Sequence, residues 1–137
     1  MTSRIFTADE ANRTIPLVRT IVRDIVRDYE LVATMADEYK ALRRLSGRDE
    51  NHERRLNQLK TEMKALSDHI DGFVKELGEI GCEMKDLSRG LVDFPAEIDG
   101  RRVYLCWMLG EESIDHWHEV TEGFAGRKPL PVTAPED

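Results

Sequence analysis

Two rows of apolar residues, each with members spaced alternately three and four positions apart, run through the first part of the chain. The first row extends from Ile15 to Tyr39, and the second extends from Leu56 to Ile80. A spacing that averages about 3.5 residues keeps one stripe of a helix turned toward a partner helix. The polar segment 46–51 separates the rows, and so short a connection favours antiparallel neighbours. The pattern predicts a long antiparallel helical hairpin of the coiled-coil type.

The ends of this hairpin carry capping residues. Thr7 and Glu10 have the spacing of a capping box, in which each side chain bonds the backbone N–H of the other residue. Gly81 is suited to ending the second helix, because glycine readily adopts the left-handed conformation found there. Pro16 lacks a backbone N–H, so we expect the first helix to kink or to restart at this position.

After residue 81 the apolar pattern shortens to the period of β-strands. The runs 91–98 and 101–109 flank Asp99-Gly100, a dipeptide typical of a two-residue type I′ turn. Segment 82–86 is a candidate for a further strand. The sequence therefore predicts a small antiparallel β module behind the helical hairpin.

The register of the predicted strand pair follows by counting outward from the turn. Asp93 then lies opposite Cys106, on the face that also carries Pro95 and Tyr104. A carboxylate in an otherwise apolar strand pair needs a compensating partner. Asp93 is therefore the residue that most requires an explanation.

The fold class expected from these patterns is mainly α (α+β), with the β module in the C-terminal third. The 137 residues fit one domain. Its sub-parts are the hairpin 7–81, the β module 82–127 with a short helix or turn, and an extended tail 128–137 that contains three prolines. The short helix is expected over 113–121, because Ser113 can cap it and apolar residues recur there at helical spacing.

Helix 1 has more apolar residues than a two-helix contact can cover. Leu17, Ile21, Val26, Leu31 and Met35 all lie outside its seam. A second apolar face on a helix usually meets another subunit or the rest of the domain. We expect a homodimer that forms a four-helix bundle through helix 1.

Composition excludes several broad classes of protein. A net charge of −7 argues against general nucleic-acid binding, which requires a basic surface. No apolar run approaches the roughly 20 residues of a membrane span. The N-terminus lacks the apolar stretch of a signal peptide, so a cytoplasmic location is expected, where both cysteines would remain thiols.

Several short motifs in the β module and at the start of the chain, taken together, are specific enough to indicate a protein family. They are Phe6-Thr7, Glu10-Ala11-Asn12, Pro16-Leu17-Val18, Gly90-Leu91-Val92-Asp93-Phe94-Pro95, Leu105-Cys106-Trp107, Leu109-Gly110-Glu111, Trp117-His118-Glu119 and Gly123-Phe124-Ala125-Gly126-Arg127. With these motifs the chain resembles the bacterial domain-of-unknown-function family 2203 over essentially its whole length. The resemblance implies no activity, since the family has none assigned.

The most specific chemical hypothesis is a metal site. Asp93, Cys106, Glu112 and His118 are ligand types for zinc or iron, and they lie close together in the sequence. His116 is less suited, because on the predicted helix it would point about 200° away from His118. The alternative is structural: Asp93 accepts hydrogen bonds, Cys106 fills the core and His118 packs at an edge.

Three further hypotheses follow from the same residues. A small molecule could be bound by Asp93, Glu112, Trp117, His118 and Arg127, the last as an anion contact. No catalytic motif is present, and a thiol in mid-strand is usually inert, so catalysis is not expected. The acidic hairpin tip, with Asp49 and Glu50, is a candidate contact for a protein partner. The combined prediction is a non-enzymatic dimeric binding or interaction protein, and the alternative is a metal-binding sensor or metalloenzyme.

Overall fold

The computed structural model describes residues 4–130 and places two long helices before a five-stranded antiparallel sheet. The strand order in the sheet is the order in the sequence. The elements are α1 (Ala8–Arg43), α2 (Glu50–Ile80), β1 (Glu83–Asp86), β2 (Leu91–Ile98), β3 (Arg101–Met108), β4 (His116–Glu119), a 3₁₀ helix (Phe124–Gly126) and β5 (Lys128–Pro129). The predicted α+β class, with a helical hairpin followed by a β module, is confirmed.

The caps of the two helices are those the sequence indicates. The Thr7 hydroxyl accepts from the Glu10 N–H at 3.1 Å, and the Glu10 carboxylate accepts from the Thr7 N–H at 2.9 Å. Gly81 ends α2 with a φ of 115°, in the left-handed region. Asp49 caps the start of α2 by accepting from the His52 N–H at 3.0 Å. One of the two acidic groups proposed as a partner contact at the hairpin tip therefore also has a local structural role.

Of the two outcomes predicted at Pro16, a kink or a restart of the helix, the restart does not occur. The helix α1 continues through this residue from Ala8 to Arg43. The neighbouring Ile15 and Val18 are buried in the core, and this packing compensates for the one backbone hydrogen bond that proline cannot donate.

The strand pair β2–β3 has the register obtained by counting from the turn. Leu91 lies opposite Met108 at one end and Ile98 opposite Arg101 at the other. Asp99 and Gly100 both have positive φ, at 54° and 77°, as a type I′ turn requires. This part of the fold was predictable residue by residue.

The helix expected over 113–121 does not form, and β4 pairs with β3 instead. Trp117 lies opposite Leu105 in this pairing, whereas Val120 is 51% exposed, so the apolar face expected of a helix does not exist. The segment is anchored by Ile114, which is buried and whose N–H donates to Asn12 Oδ1 of α1 at 2.8 Å. Because the free edge of β3 offers backbone partners, an extended conformation satisfies more backbone polar groups here than a short helix would.

The inner face of the sheet packs against the base of the helical hairpin. Its core residues are Val92, Phe94, Ala96, Val103, Leu105 and Trp107, together with Ile15, Val18, Ile21, Val22, Ile25, Ile70 and Leu77 of the helices. The contact covers part of the second apolar face of α1, since Ile21 is buried and Val26 packs against the core, whereas Leu17 and Leu31 stay 57% and 44% exposed. The apolar surface that led to the dimer prediction is thereby reduced, and the dimer stays a prediction.

The predicted tail begins with β5, which pairs with β4. Residues 131–137 of that tail lie outside the described residues. Neither helix within residues 4–130 combines the length and the apolar composition needed to cross a membrane.

Candidate functional site

Three side chains with metal-ligand chemistry meet on the outer face of the sheet, away from the helices. Asp93 of β2 lies directly opposite Cys106 of β3, and His118 extends toward them from β4. One donor atom from each residue lies within 4.8 Å of the donor atoms of the other two. All three residues are buried, with at most 2% exposure. The structure thus brings together three of the four residues proposed from the sequence as metal ligands.

The imidazole of His118 is held by two partners. Its Nδ1 lies 2.8 Å from the Glu119 backbone oxygen, and because a carbonyl only accepts, Nδ1 carries a hydrogen. Its Nε2 lies 2.9 Å from Asp93 Oδ2, on a side chain that is equally buried. A hydrogen bond at this second contact requires one proton between imidazole and carboxylate. The pair therefore shares one proton and is neutral as a unit.

The carboxylate of Asp93 is only half satisfied. Its Oδ1 is buried and accepts no hydrogen bond from residues 4–130. Burial raises the pKa of Asp93, while the hydrogen bond and charge of His118 and the charge of Lys85 oppose that rise. A buried oxygen without a donor costs free energy, so it indicates either strain or a place for a ligand.

The thiol of Cys106 is protonated at neutral pH. Burial, and to a smaller extent the neighbouring carboxylate of Asp93, raises its pKa to about 12. A thiol in this state is a poor nucleophile, which agrees with the expectation from the sequence that catalysis by Cys106 is unfavourable. It becomes a ligand only if a cation displaces its proton. Cys82, the other cysteine, is also buried, and its thiol is near the Leu77 backbone oxygen at 3.5 Å.

A cavity of about 350 Å³ opens beside Asp93 and His118. Tyr104 lines it, as do Lys85 and Arg89 from β1 and the turn that follows. The remaining lining residues are Asp86, Leu91, Val120, Glu122, Gly123 and Phe124. These residues were not among the site candidates proposed from the sequence, although the counted register already placed Tyr104 on the same face as Cys106.

Hydrogen bonds fix the turn that forms one wall of the cavity. Asp86 Oδ1 accepts from the Ser88 hydroxyl at 2.7 Å and from two backbone N–H groups, and Oδ2 accepts from Arg89 Nε at 3.0 Å. The bond from Ser88 and those from Arg89 lower the pKa of Asp86 to about 2. The guanidinium of Arg89 lies over the ring of Phe124 at 4.6 Å. The wall is therefore held in place before any ligand arrives.

The other residues proposed from the sequence lie outside this group. The side chain of Arg127 is 10% exposed and pairs with both oxygens of Glu111 at 2.8 Å, and it also donates to the Cys106 backbone oxygen at 3.4 Å. Trp117 lies opposite Leu105, on the other face from Cys106. Glu112 is exposed, and its backbone oxygen accepts from Arg19 at 3.2 Å.

His116 has a different position from the one the predicted helix would give it. In the strand β4 it lies directly opposite Cys106, on the same face as His118. The two histidines therefore do not point apart, as they would on a helix. Among the described residues, however, the ligand group contains His118 and not His116. The Nδ1 of His116 is buried and has no hydrogen-bond partner within residues 4–130.

Comparison with known proteins gives a family without an assigned function. Neither a curated protein nor a solved structure matches the chain. The family model described as an uncharacterized conserved protein (DUF2203) matches residues 4–130, which span both helices and the whole sheet. The chain therefore belongs to the DUF2203 family.

Proposed function

We propose that this protein is a non-enzymatic binding protein that holds one transition-metal ion, zinc or iron(II), through Asp93, Cys106 and His118. The observation that carries the proposal is the buried group of three donor atoms within 4.8 Å, in which Asp93 Oδ1 lacks a partner. Buried polar atoms destabilise the folded protein unless each has a partner, and one cation can be the partner of all three residues.

The donor set suits a transition metal. Imidazole, thiolate and carboxylate are all zinc ligands, and a sulfur ligand selects against magnesium and calcium. The bond from His118 Nδ1 to the Glu119 backbone oxygen supports this assignment, since metal-binding histidines usually donate their other ring hydrogen to such an acceptor. Nε2 is then the ring nitrogen left to coordinate an ion, and it lies 2.9 Å from Asp93 Oδ2.

Small side-chain movements would give the three donor atoms the spacing of zinc ligands. Zinc bonds of about 2.0–2.3 Å place tetrahedral ligand atoms roughly 3.3–3.8 Å apart. The separation between His118 Nε2 and Asp93 Oδ2 is 2.9 Å, so this pair would open slightly, while the other donor atoms, at most 4.8 Å apart, are already within reach of one ion. Three protein ligands leave one coordination position, which the neighbouring cavity can supply with water or another ligand.

The competing explanation is that Asp93 and His118 form a structural pair with no metal. That explanation accounts for the 2.9 Å hydrogen bond, but it leaves Asp93 Oδ1 unpaired. It leaves the Cys106 thiol with only a weak polar contact to the Asp93 carboxylate, which lowers the pKa of Asp93 and raises that of the thiol. The two explanations differ in what happens when a metal is offered to the protein.

Metal titration of untagged full-length protein tests the proposal. After treatment with a chelator, we expect one equivalent of zinc or cobalt(II) to bind, and the cobalt form to show a thiolate-to-metal charge-transfer band. Cys106→Ser should abolish the band, and His118→Gln should weaken binding at least about tenfold, since the loss of even an outer-shell partner costs about that much. Cys82→Ser and His116→Gln are the matched controls and should retain one equivalent. Absence of stoichiometric binding in the wild type, or an unchanged cobalt spectrum in Cys106→Ser, would exclude this site.

We further propose a homodimer formed through α1. Leu17 and Leu31 are 57% and 44% exposed and lie 14 residues apart, which places them about 40° from each other around the helix axis. Two large apolar side chains on one side of a helix favour a contact with a second copy.

Light scattering after gel filtration tests the dimer. The wild type should have twice the chain mass, and a double variant with Leu17→Glu and Leu31→Glu should have the monomer mass. Leu45→Glu is the control, because Leu45 is 47% exposed but lies beyond the end of α1. A wild type that remains monomeric at high concentration would refute the proposal.

A further inference from the structure

We infer that the cavity beside Asp93 and His118 binds a small molecule that carries an oxyanion, either a carboxylate or a phosphate group. This inference goes beyond the metal proposal, because it depends on the side chains that line the cavity and needs no ion. It starts from the hydrogen-bond donors that the cavity wall leaves unused.

The wall has a surplus of donors. Within the described part of the chain, the guanidinium of Arg89 donates only through Nε, to Asp86 at 3.0 Å. Its two terminal nitrogens bond no protein atom there. Lys85 has a single acidic partner, Glu83 at 3.1 Å, whereas an ammonium group has three N–H donors. Both cationic groups line the cavity.

Three carboxylates share the wall, those of Asp86, Asp93 and Glu122, and none of them accepts a hydrogen bond from the terminal nitrogens of Arg89. Both oxygens of Asp86 are already occupied, by the Ser88 hydroxyl, two backbone N–H groups and Arg89 Nε. Glu122 forms an ion pair with Lys128, whose Nζ lies 3.8 Å from Glu122 Oε1. The paired oxygens of a carboxylate or phosphate match the forked N–H groups of a guanidinium, so an oxyanion fits the surplus.

The volume and the lining of the cavity limit the part of the ligand that carries the oxyanion. A volume of about 350 Å³ lies at the lower end of the range for small-molecule sites and is too small for a folded partner. Leu91, Val120 and Phe124 give it apolar walls. Phe124 also lies against the guanidinium of Arg89 at 4.6 Å, which orients that group in advance. The ligand class is therefore a small oxyanion attached to an apolar body.

Isothermal titration of the full chain with benzoate and with phenyl phosphate tests the inference, and phenol serves as the uncharged probe. We expect at least one of the two anions to bind and phenol to bind at least about tenfold more weakly, since hydrogen bonds to a charged group are stronger than those to a neutral one. The anion that binds more tightly identifies carboxylate or phosphate as the preferred group. Arg89→Gln and Lys85→Gln should each weaken binding of that anion by a similar factor.

Arg101→Gln is the matched control. Its side chain is 58% exposed, compared with 50% for Arg89, and it is likewise paired with one acid, Glu119, but it does not line the cavity. Binding should be unchanged in this variant. Failure of both anions to bind, or an equal loss in Arg101→Gln, would overturn the inference.

The titrations are made both with a chelator and with added zinc, because this separates the two proposals. Anion binding in the chelator that depends on Arg89 supports the cavity inference even if no metal binds. Zinc binding without anion binding in either medium supports the metal site alone and rejects the oxyanion inference.

Discussion

His118 Nε2 lies 2.9 Å from Asp93 Oδ2 and thereby joins β4 to β2, two strands that are not neighbours in the sheet. Both side chains are 3% exposed. The contact spans the strand β3 that carries Cys106, so it holds the outer face of the sheet together over three strands. Breaking a buried pair leaves one polar group without a partner, and this is costly whether or not a metal binds.

A double-mutant cycle on metal-free protein measures this contact. Asp93→Ala and His118→Ala should each lower the free energy of unfolding by about 3–5 kcal/mol, the cost of leaving one member of a buried pair alone. The double variant should cost about 1–3 kcal/mol less than the sum, because the second change removes the orphaned partner. Urea unfolding in the presence of a chelator gives the values. Simple additivity would show that the two groups are not coupled.

Gly90 makes a close approach between the sheet and α1. A Cβ added there would lie 2.7 Å from Leu109 Cβ and 2.9 Å from Val22 Cγ1, and the residue has a φ of 70°. Gly90→Ala should therefore cost both backbone strain of about 1–2 kcal/mol and overpacking of about 1–3 kcal/mol. Gly100→Ala should cost only the strain, since Gly100 has a φ of 77° but no described atom within 4 Å of its added Cβ. Equal losses of unfolding free energy in the two variants would contradict the close packing.

Much of the fold follows from local signals in the sequence. The apolar rows ending at Tyr39 and Ile80 predicted the hairpin, and Asp99-Gly100 predicted the register of β2 and β3. The opposition of Asp93 and Cys106 is a consequence of that register. These features are predictable because a helix period or a tight turn is encoded within a few neighbouring residues.

The rest of the site depends on contacts that are distant in sequence. The backbone around His118 is extended because it pairs with β3, and the turn before it is tied to Asn12, 102 residues from Ile114. The cavity wall requires the turn after β1 to meet the 3₁₀ helix, which brings Arg89 over Phe124. Neither contact can be predicted from local sequence propensity. The sequence therefore favoured a helix at 113–121 and did not indicate Arg89 as a site residue.

Acid should weaken the turn that forms the cavity wall. The hydrogen bonds to Asp86 give it a pKa of about 2 in the folded protein, below the ordinary value of 3.8. A lowered pKa means that the carboxylate stabilises the fold above about pH 4 and that this contribution is lost as the pH falls toward 2. Asp86→Asn should therefore be less stable than the wild type at pH 7, and the difference should shrink in acid. Urea unfolding from pH 7 to pH 2.5 measures this, and a difference that stays constant with pH would contradict it.

The two halves of α2 should respond differently to the same substitution. Leu59 and Leu77 are both fully buried, but only Leu77 belongs to the core that α1, α2 and the sheet share. Leu77→Ala should lower the free energy of unfolding by about 2–5 kcal/mol, as usual for a buried leucine, and reduce amide protection in helices and strands alike. Leu59 packs in the distal part of the helical hairpin, so Leu59→Ala should mainly allow local opening.

Hydrogen exchange read by mass spectrometry distinguishes these outcomes. In Leu59→Ala, amides near both ends of the 44–49 connection should exchange at least about tenfold faster, while β2 and β3 keep their wild-type protection, because local opening there need not disturb the sheet. The proposed metal site should also keep its zinc stoichiometry in this variant. Equal exposure of the strands in Leu59→Ala and Leu77→Ala would contradict this prediction. It would mean that the distal hairpin and the β module, with Asp93, Cys106 and His118, unfold as one cooperative unit.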